Sequence, residues 1–161
     1  MFKVDDLIVY PAHGVGKISA VESKEILGVP QDFFIIEILE SGARIMVPVS
    51  NAASVGLRKV VDKSVVSKVY AVFREKKETE IDSQTWNRRY REYMDKIKTG
   101  CVIEIATVLR DIYLLKTDKE LSFGERRMMD TARSLLIKEI SIVKKTKEDR
   151  IEKELDRLMN V

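Results

Sequence analysis

Residues 44–73 read RIMVPVSNAASVGLRKVVDKSVVSKVYAVF, and a change of period inside this stretch decides the fold. Its opening, ARIMVPV with the preceding alanine, is a short apolar, β-branched run of strand type. From Asp62 the pattern becomes helical, with Val65, Val69 and Val72 or Phe73 recurring at intervals of three and four. Strand signals lie on one side of this point and helix signals on the other. The chain therefore divides into residues 1–61 and 62–161.

Toward the N-terminus the strand-like runs are DLIVYP (6–11), VGKISAVESKEI (15–26) and DFFIIEIL (32–39). Turn punctuation separates them at His13-Gly14, Gly28-Val29-Pro30 and Ser41-Gly42. Four or five short strands in about 60 residues fit a small antiparallel barrel, because closing a sheet removes exposed edges. Pro48 has no N–H to give to a ladder, so its strand belongs at an edge.

Toward the C-terminus the helical period persists. A charged loop, EKKETEIDS, precedes a helix from about Gln84 to Lys98 that stops at Gly100. CVIEIATVLRDIYLLK (101–116) is apolar on most sides and belongs at the centre of a bundle. Ser122 and Glu125 form a capping box at the start of the next helix, whose apolar row is Met129, Ala132, Leu136, Ile140 and Val143. The last helix carries Ile151, Leu155 and Leu158 or Met159 on one stripe. The expected fold class is α+β, a small antiparallel barrel followed by about five helices.

Composition excludes several functions. No apolar run approaches the roughly 18 residues of a membrane span, and the acidic N-terminus is not a signal peptide. His13 is the one histidine and Cys101 the one cysteine, so no Cys/His metal site and no internal disulfide can form. Cys101 begins an apolar run and is expected to be a buried free thiol. Dinucleotide, phosphate-loop and nucleophile-elbow motifs are absent. No enzyme chemistry, cofactor or metal is expected. Charge is uneven: residues 1–61 hold six Lys/Arg against seven Asp/Glu, and the remainder 23 against 19. A nucleic-acid surface belongs in the second half if anywhere.

The stretch SQTWNRRYREY (83–93) concentrates the chain's single tryptophan with three arginines. On a helix turning about 100° per residue, Trp86 shares a side with Tyr90, Tyr93 and Ile97. Arg88 and Arg91 fall on the far side, and Arg89 on a flank. Periodicity alone makes Trp86 a core residue. Its place in the first turn also lets it reach beyond the helix end, where free N–H groups and arginines favour phosphate.

Four segments then carry a resemblance: VYPAHGVGKI (9–18), RIMVPVSNAASVGLRKV (44–60), TWNRRY (85–90) and LSFGERRMMDTARSLL (121–136). Together they resemble the CarD/CdnL family of bacterial transcription regulators over nearly the whole chain. The first half alone is also similar to the polymerase-interacting module of the transcription-repair coupling factor. The resemblance implies a Tudor-like barrel that binds the β subunit of RNA polymerase. It also implies a helical domain that contacts promoter DNA at the upstream edge of the melted bubble, in the minor groove and without reading sequence. Trp86 would be the wedge, and Arg88, Arg91 and Arg89 would hold the backbone. Lys24, Ile36, Arg44, Met46 and Pro48 would form the polymerase-binding set. Met46 stands where some members have arginine, so an apolar contact is expected there. The implied protein is a cytoplasmic, nucleoid-associated monomer. The rival is a protein-interaction adaptor with a buried Trp86 and no DNA contact.

Overall fold

A computed structural model of the chain describes residues 2–75, 86–118 and 120–159; the side chains of residues 86, 87, 117 and 118 fall outside that description. Residues 76–83 of the expected loop EKKETEIDS, and the expected helix start at Gln84, also lie outside the described residues. The chain separates into two compact units, residues 1–60 and 61–161.

The first unit is an antiparallel Tudor-like barrel of five strands: β1 (Leu7–Tyr10), β2 (Gly14–Ile26), β3 (Val29–Ile38), β4 (Arg44–Pro48) and β5 (Arg58–Lys59). The strands are ordered β4-β3-β2-β1-β5, so β4 and β5 are outermost. Pro48 thus ends an edge strand, where its missing N–H costs no ladder bond. Ile8, Ile18, Phe34, Ile36, Ile38, Val47 and Leu57 form the core. Gly16 lets two strands approach: a Cβ there would lie 2.9 Å from Ile36 Cγ2.

One turn differs from the sequence expectation. The β2–β3 reversal is Leu27-Gly28, both at positive φ (55° and 78°), as a two-residue hairpin turn requires. Val29 and Pro30 already belong to β3, opposite Ile26 and Glu25. Pro30 is tolerated because β3 meets β4 only over Phe33–Glu37 and runs as an edge before that.

The second unit holds α1 (Lys63–Arg74), α2 (Trp86–Lys98), α3 (Val102–Asp118), α4 (Phe123–Lys144) and α5 (Glu148–Met159). Asp62 caps α1 by accepting the Val65 N–H at 3.1 Å. This bond and that from the Ser64 hydroxyl hold its carboxyl below the usual range, the hydroxyl having the larger effect. The Ser122–Glu125 capping box is formed. α3 packs against α1, α2 and α4 and buries Val102, Ile105, Ala106, Val108, Leu109, Ile112 and Leu115. α5 is held by Ile151 and Leu155, both fully buried, and by the Tyr70 hydroxyl donating to Glu154 at 2.6 Å.

Three expectations are corrected. The buried row of α1 is Val66, Val69 and Phe73, with Val65 on its flank. On α4 the buried methionine is Met128, and Met129 is half-buried. Cys101 is exposed because it precedes α3 instead of lying inside it. Its carbonyl accepts the Ile105 N–H at 3.0 Å, and its own N–H donates to Thr99 Oγ1 at 3.2 Å.

Candidate functional site

Two surfaces carry the residues singled out in the sequence, one in each unit. On the barrel, successive residues of β4 alternate between faces. Val47 points into the core and Ile45 packs against it. Arg44, Met46 and Pro48 therefore share the outward face. Across the ladder they lie opposite Glu37, Ile35 and Phe33. Phe33 and Ile35 alternate with the core residues Phe34 and Ile36, so they too face outward, yet they are only 7% and 3% exposed. They are covered and leave little surface to a partner. Met46, across the ladder from Ile35, is 44% exposed. The Lys24 ammonium lies 3.8 Å from the Met46 sulfur, which brings strands β2 and β4 together on this face. Lys24 and Arg44 are exposed and Pro48 is half-buried.

Ile36 does not join them. It is fully buried in the barrel core, paired with Ile45. Its side chain supports the strand that carries the surface.

On the helical unit, α2 begins at Trp86. Among its described side chains Tyr93 and Ile97 are buried, and Met94 packs against the same core. Arg88 and Arg91 are exposed and, three residues apart, are neighbours on the helix surface. Arg89 is half-buried and acts on Tyr93, four residues on. Burial first, and then the Asp111 charge, push the Tyr93 hydroxyl up to about 12, while the Arg89 charge pulls the other way. Two of the three arginines thus meet solvent, and the charge of the third acts on the buried tyrosine that anchors the helix.

The sequence reading passed over Phe123. It is the first residue of α4 and 74% exposed, with exposed Arg126 and Arg127 following on the next turn. A helical wheel carries the signal, since Phe123 lies about 180° from Ala132, which is fully buried. Among the described residues no group of His, Cys, Asp and Glu could hold a metal ion, and no helix is long and apolar enough to cross a membrane.

A barrel with a mixed apolar and basic edge strand, followed by a five-helix unit that shows arginines and an aromatic ring to solvent, defines a binding protein of two modules. Comparison with known proteins gives the same division. The model described as CarD-like/TRCF RID domain matches residues 2–61, and that described as CarD, C-terminal domain matches residues 68–156. The chain belongs to the CarD/CdnL family. It is 36% identical over 151 residues to YdeB, a candidate transcription factor of Bacillus subtilis (strain 168), covering 94% of this chain and 97% of that protein. Two solved structures from Myxococcus xanthus are also similar. The N-terminal part of CdnL is 44% identical, covers 38% of this chain and 86% of that one, and has a TM-score of 0.33. The 72-residue N-terminal domain of CarD is 37% identical, covers 37% and 79%, and has a TM-score of 0.32.

Proposed function

We propose that this protein is a non-enzymatic transcription regulator that holds RNA polymerase with one module and promoter DNA with the other. In this reading residues 1–61 are the polymerase-interacting β domain and residues 62–161 the DNA-contacting helical domain. The observation that carries it is the outward face of β4, an edge strand on which Arg44 and Met46 are exposed, with the exposed Lys24 of β2 reaching the Met46 sulfur. An edge strand offers backbone hydrogen bonds to an added strand, and the side-chain row gives the contact its selectivity. The β subunit is the partner that family membership favours.

The helical domain would work at the upstream edge of the melted bubble. Arg88 and Arg91 supply charge to phosphates, which positions a protein without reading sequence. Phe123 with Arg126 and Arg127 offers a second exposed aromatic and basic group at the start of α4. Trp86 is assigned the wedge, since unstacking is cheapest where polymerase already melts the duplex.

The test is Trp86→Ala in a complete polymerase, with folding and β-subunit binding measured on the same protein. Loss of a base–aromatic stack worth about 1–3 kcal/mol should shorten open-complex lifetime by roughly 5- to 150-fold at unchanged melting temperature. A core tryptophan would instead cost about 3–5 kcal/mol of stability. A large fall in melting temperature with an unchanged lifetime would return Trp86 to the core and favour the adaptor.

A further inference from the structure

Glu139 is a carboxylate among core residues. It sits on α4 between Lys138 and Ile140, is 4% exposed, and shares the buried side of the helix with Leu136 and Ile140. Replacing a buried ion by a hydrophobe of similar size is often neutral or stabilising, so stability alone does not call for a carboxylate here. A carboxylate can do what leucine cannot, which is to accept a particular backbone N–H. Glu139 Oε2 accepts the N–H of Val61 at 2.9 Å, across 78 positions of sequence.

Val61 is where the helical unit begins. Its side chain also packs against the helical core, so it is fastened twice. Asp62, the next residue, is committed as the cap of α1. On the other side β5 ends at Lys59. Between the last ladder residue of the barrel and the first fastened residue of the helical unit there is only Val60.

We infer that Glu139 is a positioning residue that keeps the free chain after the barrel short, so that a barrel held by polymerase delivers the helical unit to DNA at high effective concentration. The inference rests on the function proposed above. Loss of the Glu139 bond leaves Val61 held by its side chain alone, so the free segment can grow from one residue to two. A longer free segment lowers the effective concentration.

The experiment compares Glu139→Leu, Glu139→Gln and an insertion of two glycines between Val60 and Val61 with Glu139 intact. Each full-length protein is measured for amide exchange at Val61, thermal melting, polymerase binding and open-complex lifetime. Glu139→Leu should speed exchange at Val61 and shorten the lifetime, with polymerase binding unchanged. Glu139→Gln retains an acceptor oxygen and should restore both. The glycine insertion should reproduce the lifetime loss with the latch and the melting temperature intact, which a merely structural role for Glu139 would not. If Trp86→Ala shortens the lifetime in the same assay but the insertion does not, the tether inference is overturned and the proposed function stands. If neither changes it, both fall.

Discussion

The five residues assigned to polymerase binding predict two opposite kinds of variant. Ile36 is fully buried and Met46 is 44% exposed. Ile36→Ala empties part of the barrel core, at about 2–5 kcal/mol. A unit of 60 residues has a total stability of about 3–9 kcal/mol, so this variant is expected to lose a large part of its stability margin and to melt at a clearly lower temperature. Met46→Glu removes a side chain that is only part-buried, costing about 1 kcal/mol. Its new carboxylate comes within reach of the Lys24 ammonium, 3.8 Å from the present sulfur, which returns up to about 0.5 kcal/mol. The net cost is under about 1 kcal/mol, a melting shift of at most about 8 °C. On binding, however, the carboxylate enters the contact in place of an apolar side chain, and affinity should fall at least about tenfold, or 1.4 kcal/mol. The assay is titration of the β subunit with each variant, alongside thermal melting by circular dichroism. Folded Met46→Glu and Pro48→Arg proteins that both bind undiminished would remove β4 from the interface. Ile36→Ala is informative only on its melting curve.

The isolated protein should bind duplex DNA weakly, in or near the non-specific range of roughly 10⁻⁴ to 10⁻⁶ M. With two to four exposed arginines at work, log K against log salt should slope about −2 to −4; a tight sequence-selective footprint would contradict this. Removing Arg88 and Arg91 together should flatten that slope without loss of folding, whereas Arg89→Ala should also lower stability. The Tyr93 hydroxyl is raised from 10.0 to about 12 in the fold, so its neutral form is favoured there, and the contribution present below pH 10 is lost as pH climbs from 10 to 12. Tyr93→Phe should flatten that alkaline loss, worth up to about 3 kcal/mol, in denaturant melts run across the window. Cys101, exposed ahead of α3, should react with a thiol reagent in the native protein; protection released only by denaturant would show it buried.

The features legible in the sequence are local ones. The change of period at Asp62 and the Ser122–Glu125 box depend on neighbours within a turn, and both are formed. Helix phase is less local. Val65-Val66 and Met128-Met129 each offer two adjacent apolar residues about 100° apart, and only packing against other helices chooses between them. Cys101 was misread for a related reason. Gly100, at φ 72°, closes α2, so an apolar run beginning at residue 101 looks continuous while its first residue lies outside the helix. The side chain of Trp86 has no such account, since periodicity and position in the first turn point opposite ways.

Ile36 is different, because the means of excluding it were in the chain. Directly paired residues of an antiparallel hairpin share a face, and their numbers keep a constant sum. Here Glu37 pairs with Arg44 and Ile35 with Met46. A tight turn at Ser41-Gly42 changes that sum by two and preserves its parity. Under either register an even-numbered residue of β3 faces the same way as an odd-numbered residue of β4. Ile36 therefore goes with Ile45 and Val47, and cannot lie beside Met46. Transferring a set of contact residues by resemblance carries identity but not face. Parity separates the set into Arg44, Met46 and Pro48 outside and Ile36 within, and the 3.8 Å approach of Lys24 to Met46 adds the one outward member that strand counting within this hairpin cannot reach.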